Sequence, residues 1–536
     1  MSPASLGLLL AGIVRGPAAQ EGPAPGERER VEAALPDRAF APPLVPRRLL
    51  IFDLNVGYGG HPSRFTANLA FEGMERKTGA FETTVSRDPA IFSPERLRKF
   101  DAVFLNNTVG NLFEDPALRR GLVEFVAAGG GLMGVHGTSV AFVRWKEGGR
   151  EDWPEFGVLL GGRGANHRAA DEHVFVKLDD PGHPLNRPFG GRGFEYRSEF
   201  FRVHEPYSRR RVRVLFSIDT ARTDMNQGPS YGRIRRDDED YALAWVRSYG
   251  RGRVFYCTIG HAPSVFWDPL LLKFYLAAAQ FALGDLPAPT APSAFLTPAH
   301  RARERLGWRL GLEAHGPLFE AVDRASELGL PFVGALVSRD VGAGISARLG
   351  PGLEEDILRE IRMRLGLAGV RLLACDCPSV PADPEGLRRL FEFGRRLGVE
   401  LFRAAPPAEA LDVVGKLCDE FDIRLALPGG DPDRVLEACR GRSPRIGAWA
   451  DAEEWERKGV DPARAVPALG ERLMAVRLGG GEGRAERLVR EIHRAGIRPL
   501  WFGIGGGTGP GGADRIARDV AFFDRISLEL APRGEP

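Results

Sequence analysis

The most chemically suggestive stretch of this chain is Gly134-Val135-His136-Gly137, which sets an imidazole between small residues at the end of an apolar run. Small flanking residues permit the strained turn that lifts one side chain above the carboxyl edge of a sheet, the geometry of a nucleophile elbow. Ligands of open α/β sheets collect at that edge. Imidazole titrates near neutral pH and can act as acid, base or metal ligand. His261 follows a second apolar run, residues 253–259, and is expected at a strand end as well. His167 and Glu199 could converge on the same edge. Three histidines and a carboxylate can hold zinc with an open position, or can serve as an acid/base set. No local metal motif appears in the spacings, so the metal reading depends on the fold gathering these side chains. Taken singly, His167 and His261 are as readily structural as functional; the place of His136 at a sharp turn sets it apart. His183 reads as a turn residue, and His173 and His204 as surface. Trp145, Trp153, Phe200 and Phe201 offer faces of the kind that meet the apolar side of a pyranose, although core or lid packing is the simpler reading of each.

The elements that must position these groups alternate in type. Residues 48–53, 81–86, 101–107 and 132–136 read as strands, the first a continuous apolar run as expected of a strand buried on both faces. Residues 115–128 form an amphipathic helix that Gly129 ends. Later strands are expected at 212–218, 242–246 and 254–259, and a helix at 269–283 closes the unit. Alternating strands and helices predict a doubly wound parallel sheet. A proline-rich stretch then marks a linker. Beyond it, candidate strands at 309–314, 332–337, 371–375, 400–403, 424–427, 445–449, 472–478 and 499–504 have the arithmetic of a (β/α)8 TIM barrel. The expected divisions are an export signal at 1–20, a disordered leader at 21–46, the sheet domain at 47–284, the linker at 285–304 and the barrel at 305–530.

Bulk properties exclude several classes. A formal net charge of +2 gives no global field to recruit nucleic acid or anionic lipid. The basic run at 233–236 is cancelled at once by the acidic run at 237–240. Five scattered cysteines imply no disulfide framework. Cys375 and Cys377 would share one strand face, could line a barrel interior, and read as buried structural thiols. Residues 6–14 are apolar but too few to span a bilayer, for which ~20 are needed. Small residues suited to signal-peptidase cleavage follow, with Arg15 after the apolar run and no basic residue before it. An export signal is expected, hence a periplasmic or secreted protein; a disordered cytoplasmic tail is the alternative. No other stretch is long and apolar enough to cross a membrane.

Several motifs, taken in order, carry a family resemblance. Residues 101–108, the glycine-rich strand ending in His136, Glu151-Asp152-Trp153-Pro154, Asp180-Pro181-Gly182-His183, Ser198-Glu199-Phe200-Phe201 and Gly260-His261-Ala262-Pro263 together resemble the ThuA-like family, over residues 47–284. The resemblance implies a glutamine amidotransferase-like fold with a pocket formed by His136, His167, Glu199 and His261. It also implies use of trehalose or a related sugar. Amidotransferases place a cysteine at the elbow, whereas this chain places His136, so no glutaminase activity is expected.

The C-terminal half is similar to the xylose-isomerase-like sugar phosphate isomerases and epimerases, over residues 305–530. The resemblance is carried by Gly307-Trp308-Arg309-Leu310-Gly311-Leu312-Glu313-Ala314 and, most strongly, by residues 442–451. Active members hold a divalent metal with Glu, Asp and His from the strand ends. Here Arg403-Ala404-Ala405-Pro406 stands where a glutamate is expected. Asp451 survives without the family's histidine, Arg477-Leu478-Gly479 replaces a charged motif, and the last glutamate position has become glycine-rich. A hard cation needs several converging oxygens, and one retained aspartate is too few. The barrel is therefore expected to be a degenerate, non-isomerising module, with Asp451 a remnant. A site rebuilt from Asp376, Asp431, Glu453 and Glu454 is the lesser alternative. The run from Gly505 could cradle a phosphate, though flexible loop is the simpler reading. Two functions stay open: an enzyme acting on a disaccharide or keto-sugar at the ThuA-like pocket, and a non-catalytic sugar-binding or interaction protein; a sugar isomerase or epimerase acting in the barrel is disfavoured by the lost ligands.

Overall fold

Strands that are apolar at every position must be covered on both sides, and the first part of the chain supplies helices for both faces of one sheet. The computed structural model describes residues 22–145, 148–231, 234–342, 344–479, 482–505 and 512–532. The strands here are β1 Arg48–Phe52, β2 Glu82–Ser86, β3 Ala102–Asn106, β4 Gly131–Val135, β5 Arg163–Arg168 and β6 Glu172–Leu178. They continue as β7 Phe194–Ser198, β8 Arg202–His204, β9 Arg213–Ile218, β10 Ser230–Tyr231, β11 Ala242–Tyr249 and β12 Gly252–Cys257. Nine of them form one sheet in the order β2-β1-β3-β4-β12-β11-β9-β6-β7, and β10-β5-β8 form a small separate sheet.

The expected parallel sheet is present from β2 to β12. Beyond β12 the strands β11, β9, β6 and β7 run antiparallel to their neighbours, so the sheet is mixed. Leu49 and Ile51 pack on one face with the helices Arg64–Thr78 and Pro269–Leu283, and Leu50 and Phe52 pack on the other with Pro116–Ala127 and Pro154–Leu160. Asp268 caps the helix Pro269–Leu283 by accepting from Leu270 N at 2.8 Å and Leu271 N at 3.1 Å.

The stretch expected to be a disordered leader is ordered over its described part. Residues Glu27–Ala34 form a helix. Val31 and Leu35, four residues apart, are buried against the helix Arg64–Thr78, and Glu27 Oε2 accepts from Thr66 Oγ1 at 2.8 Å. Farther along, Phe40 N donates to Gln280 Oε1 at 2.7 Å. Two apolar residues at helical spacing and one buried amide anchor a segment whose overall composition is polar. The expected export signal lies outside the described residues.

The proline-rich stretch also packs. Ser293 N donates to Val212 O at 2.9 Å, Ser293 Oγ accepts from Val214 N at 2.9 Å, and a helix begins at Pro298. The barrel follows, with strands β13 Leu310–Glu313 and β14 Phe332–Leu336, an antiparallel hairpin of β15 Asp340–Gly342 and β16 Ile345–Arg348, then β17 Arg371–Cys377 and β18 Leu401–Ala404. It closes through β19 Arg424–Pro428, β20 Ile446–Asp451, β21 Leu473–Arg477 and β22 Trp501–Ile504, which pairs with β13. All eight barrel strands fall where the sequence rhythm placed them. A compact cluster built on Leu373, Leu401, Met474 and Trp501 fills the interior. A Cβ on Gly311 would lie 2.3 Å from the Trp501 ring, so only glycine lets the indole occupy that space. Cys375 and Cys377 are buried free thiols, but they join the layer between strands and helices rather than the barrel interior. Among the described residues no helix is long and apolar enough to cross a membrane.

Candidate functional site

Strand register sets the core of the site. Val135 at the end of β4 lies level with Asn106 on β3 and Cys257 on β12, so Asn107, His136 and Thr258 emerge together at the carboxyl edge. His136 has φ +42°, the left-handed conformation that an elbow requires and that costs a non-glycine residue energy. Its ring turns down onto the neighbouring strand, and Nδ1 lies 2.8 Å from the carbonyl oxygen of Thr258. A carbonyl can only accept, so Nδ1 carries a proton, and Nε2 is the nitrogen left to face the cluster. That Nε2 is buried, has no hydrogen-bond partner, and points towards Glu199 Oε1 at 3.3 Å. The backbone around the turn is held by the buried Tyr256 hydroxyl, which lies 2.9 Å from His136 O and 2.8 Å from Ser139 Oγ.

Glu199 arrives from the opposite side of the domain, just past β7. The chain after it is anchored by the buried rings of Phe200 and Phe201, by a Phe201 N to Thr258 Oγ1 bond of 3.0 Å, and by the buried Arg202–Glu172 pair. Its second oxygen lies 3.2 Å from His167 Nδ1 and 3.7 Å from His261 Nε2. His167 sits on β5, and its Nδ1 also lies 2.8 Å from Arg168 O, so the one proton there is shared between a carbonyl and the carboxylate. His261 follows β12 as expected. The four side chains named from sequence, His136, His167, Glu199 and His261, therefore do meet.

A fifth member was missed. His61 lies in the loop after β1, at the same sheet edge, with its ring centroid 4.7 Å from that of His136 and 5.5 Å from that of His261. It is buried, and its Nδ1 has no hydrogen-bond partner. Gly137 makes room for it, since a Cβ there would lie 2.7 Å from His61 Cε1. The available signal was the Gly57–Gly60 loop: a glycine-rich turn after the first strand of an open sheet delivers residues to the ligand edge.

Among the described residues, one group can offer a metal four ligand atoms: His61, His136, Glu199 and His261, all within 4.8 Å of one another. The ligand set expected from sequence was His136, His167 and His261. His61 takes the place of His167, whose inward nitrogen is committed to a carbonyl and to Glu199. Zinc–ligand bonds of ~2.0–2.1 Å put tetrahedral ligand atoms about 3.3 Å apart, so a modest contraction would close the set. Donor chemistry fits a cation well. An unprotonated imidazole nitrogen facing a carboxylate oxygen would place two acceptors together, and only a proton or a metal ion relieves them. The second nitrogen of His136 on a backbone carbonyl is the outer-shell bond that fixes a metal-ligating histidine.

Electrostatics agree. Burial pushes His261 down to about 4, with the neighbouring His136 acting the same way against Glu199. Burial, then His136 and His261, hold His61 well below the ordinary histidine value. Burial alone would raise Glu199, but contact with His136, and then the charges of His136, His261 and His167, bring it below the usual carboxylate value. The outcome is neutral imidazole at His61 and His261 beside an ionised carboxylate. Cys257, on the next strand, is no alternative nucleophile: burial pushes its thiol up to about 12.

The cluster opens through Glu199, His167 and His261, whose side chains keep 12–24% exposure. Aromatic rings line this opening. Tyr58 lies 5.2 Å from His61 and 6.1 Å from Trp145, and Tyr231 lies 5.1 Å from His167. Trp145 is 37% and Tyr231 58% exposed, whereas Trp153, Phe200 and Phe201 are buried. Of the four aromatics considered from sequence, Trp145 alone is placed to meet a ligand.

Residues 48–282 match the model of the ThuA family, described as trehalose utilisation. This part of the chain is a ThuA domain. No curated protein matches the chain. Among solved structures, an uncharacterised protein from Parabacteroides distasonis is 21% identical over 41% of this chain and 99% of its own, with a TM-score of 0.37. A ThuA-like protein from Bacteroides uniformis is 20% identical over 46% of this chain and 93% of its own, with a TM-score of 0.37. The 3-keto-D-glucoside 4-epimerase of E. coli is 10% identical over 41% of this chain and 99% of its own, with a TM-score of 0.31.

Beyond the ThuA domain, the barrel's strand ends carry charge of a different arrangement. Arg403, on β18, is buried and reaches both Glu313 at the end of β13 and Asp376 on β17, with Nη2 2.6 Å from Asp376 Oδ2. Arg477 lies 3.1 Å from Glu313 and 3.5 Å from Asp451. Asp451 Oδ1 caps a helix by accepting from Glu453 N at 2.9 Å and Glu454 N at 3.1 Å. The carboxylates that survive at the mouth are thus paired with guanidinium groups or spent on a cap. The glycine run after Gly505 lies largely outside the described residues.

Proposed function

We propose that the ThuA domain is a carbohydrate-active site that holds a divalent cation such as zinc on His61, His136, His261 and Glu199, and acts on a disaccharide or keto-sugar. The observation that carries this reading is the buried Nε2 of His136, without a hydrogen-bond partner and facing a carboxylate. When bound, such an ion would supply Lewis acidity towards a sugar oxygen. Glu199 is the group suited to accept a proton, because its imidazole neighbours keep it ionised while it stays within reach of the opening. His167, holding a shared proton at Nδ1, orients that carboxylate. Tyr58, Trp145 and Tyr231 provide the apolar faces against which a pyranose packs. The family's description supports a glucose disaccharide as the first substrate to try. With an imidazole at the elbow and its only nearby thiol protonated, the domain is not expected to hydrolyse glutamine. The barrel, whose mouth carries arginines between its carboxylates, serves in this reading as a non-isomerising partner.

Metal content of the purified protein tests the proposal, together with turnover of native and 3-keto disaccharides. About one divalent ion per chain is expected, lost in His61→Ala and His136→Ala and retained in Asp451→Asn. Turnover should fall a hundredfold or more in Glu199→Gln, on the scale of a lost general base. Metal content insensitive to both histidines, or turnover indifferent to Glu199, would overturn it.

A further inference from the structure

The face opposite the histidine cluster carries a second candidate site, made by both domains together. The amino-terminal ends of the sheet strands (Arg47 before β1, Asp101 before β3, Arg253 on β12) face the amino-terminal ends of the barrel strands (Arg309, Arg371, Arg424). Between them lies a cleft of about 960 Å³. That is the size of a small-molecule site, for which ~300–1,000 Å³ is usual. Ten arginines line it against six carboxylates.

The carboxylates are largely spent. Asp101 pairs with Arg47, which also holds Asp285 at 2.8 Å. Glu400 accepts from Arg309 at 2.7 Å and from Arg371. Asp422 pairs with Arg445 at 2.5 Å and with Arg251 at 3.5 Å, and Glu124 pairs with Arg396 at 2.8 Å. Four arginines remain for which no carboxylate among the described residues is a partner: Arg98, Arg253, Arg395 and Arg424. Arg253 is the telling one. Its Nε donates only to the carbonyl of Ala282, at 3.0 Å, while burial and then the neighbouring Arg47 push its guanidinium down to about 10. The buried Nε atoms of Arg251 and Arg371 also lack partners. Surplus guanidinium forks with unused donors, drawn together in a cleft, are the arrangement that recognises phosphate oxygens, since each fork can engage two at once. Of the rings that line the cleft, Phe421 is already covered by Arg388 at 5.5 Å and Arg395 at 5.3 Å, which leaves Phe100 and Phe125. Ten arginines outnumber these rings, so the ligand should be recognised chiefly by its anionic groups.

We infer that this interdomain cleft binds a compact, multiply phosphorylated small molecule, either an inorganic polyphosphate or a sugar bisphosphate. The site exists only where the two domains meet, so its occupancy would clamp them together. It lies at the sheet edge remote from the proposed sugar site and stands independently of that reading.

Titration calorimetry on the full chain tests it, using pyrophosphate, tripolyphosphate, fructose 1,6-bisphosphate and sulfate at fixed ionic strength. Saturable binding of a polyphosphate or of the bisphosphate is expected, tighter than sulfate by tenfold or more; the tighter of the two identifies the source. The substitutions Arg253→Gln and Arg424→Gln together should weaken it at least tenfold. Arg98→Gln with Arg395→Gln, at exposed positions, should weaken it several-fold. Metal content at the histidine cluster should stay unchanged in both. Equal weak binding of all four anions, or affinity indifferent to both double substitutions, would overturn the inference.

Discussion

A histidine's tautomer is fixed by what its other nitrogen touches, and this chain contains two instructive cases. In His136 the Nδ1–H donates to a carbonyl, which leaves Nε2 to face Glu199. In His183 both nitrogens are satisfied by the protein itself: Nε2 lies 3.0 Å from Pro289 O, and Nδ1 accepts from Leu185 N at 3.3 Å. Protonation of His183 would set two donors against each other inside the fold. Burial first, then Arg213, push its folded value to about 4, with Asp180 and Glu304 acting the other way. The unfolded chain would titrate near 6.5. Between these values the unfolded state binds a proton that the folded state does not, so stability is full above the unfolded value and falls as pH drops towards 4. At about 1.4 kcal/mol per unit, the effect is at most about 3 kcal/mol. Denaturant unfolding from pH 7 to 4.5 should show a shallower loss in His183→Gln than in the native protein, because Gln can still donate to Pro289 O. Identical slopes would mean that His183 is not linked to folding. The sequence marked His183 as a turn residue, and it does cap a turn; what it did not disclose was the burial that gives the residue its pH dependence.

At the scale of elements, the elbow after β4 and the loop after β1 are coupled through Gly137. Its missing side chain is what lets His61 approach His136. Gly137→Ala is expected to push His61 aside while leaving the Thr258 bond of His136 intact, and so to weaken zinc binding by tenfold or more, measured by competition with a chromogenic chelator. Unaltered affinity would remove His61 from the ligand set. The parallel strands leading to this edge were legible, because burial on both faces writes continuous apolar runs into the sequence. Strand direction was not: β9, β11 and β12 are equally apolar, and only the tight connection from Tyr249 to Gly252 reverses the chain. β6 and β7 escaped notice because they lie at the far side of the sheet and alternate in burial. His61 escaped for a related reason, since it follows a loop rather than an apolar run, and nothing local ties it to residues 75 or more positions away.

For the whole molecule, the question is whether sheet and barrel fold as one unit. Helix Pro154–Leu160 of the ThuA domain packs on helix Glu355–Ala368 of the barrel so closely that a Cβ on Gly366 would lie 2.6 Å from Val158. Beside that contact Arg247 donates to Gly366 O at 3.0 Å, and Arg362 of the barrel faces Glu155 of the ThuA domain at 3.5 Å, both side chains at least nine-tenths buried. Tyr249 adds a hydroxyl 3.4 Å from the same carboxylate. Burial raises Glu155, and Arg362 is the chief group opposing that rise. Removing the guanidinium would leave a buried carboxylate with a phenol and the weaker pull of Arg359, a change that costs about 3–5 kcal/mol in comparable buried pairs. The loss falls on the interface, not on either core, so it should uncouple the domains rather than unfold one of them. Calorimetry is expected to show one cooperative transition for the native chain and two for Arg362→Met. Adding Glu155→Gln to that variant should recover part of the lost coupling, because the stranded charge goes with it. A single transition retained in Arg362→Met, or no recovery in the double variant, would place the coupling in the apolar contact at Gly366 and Val158 instead.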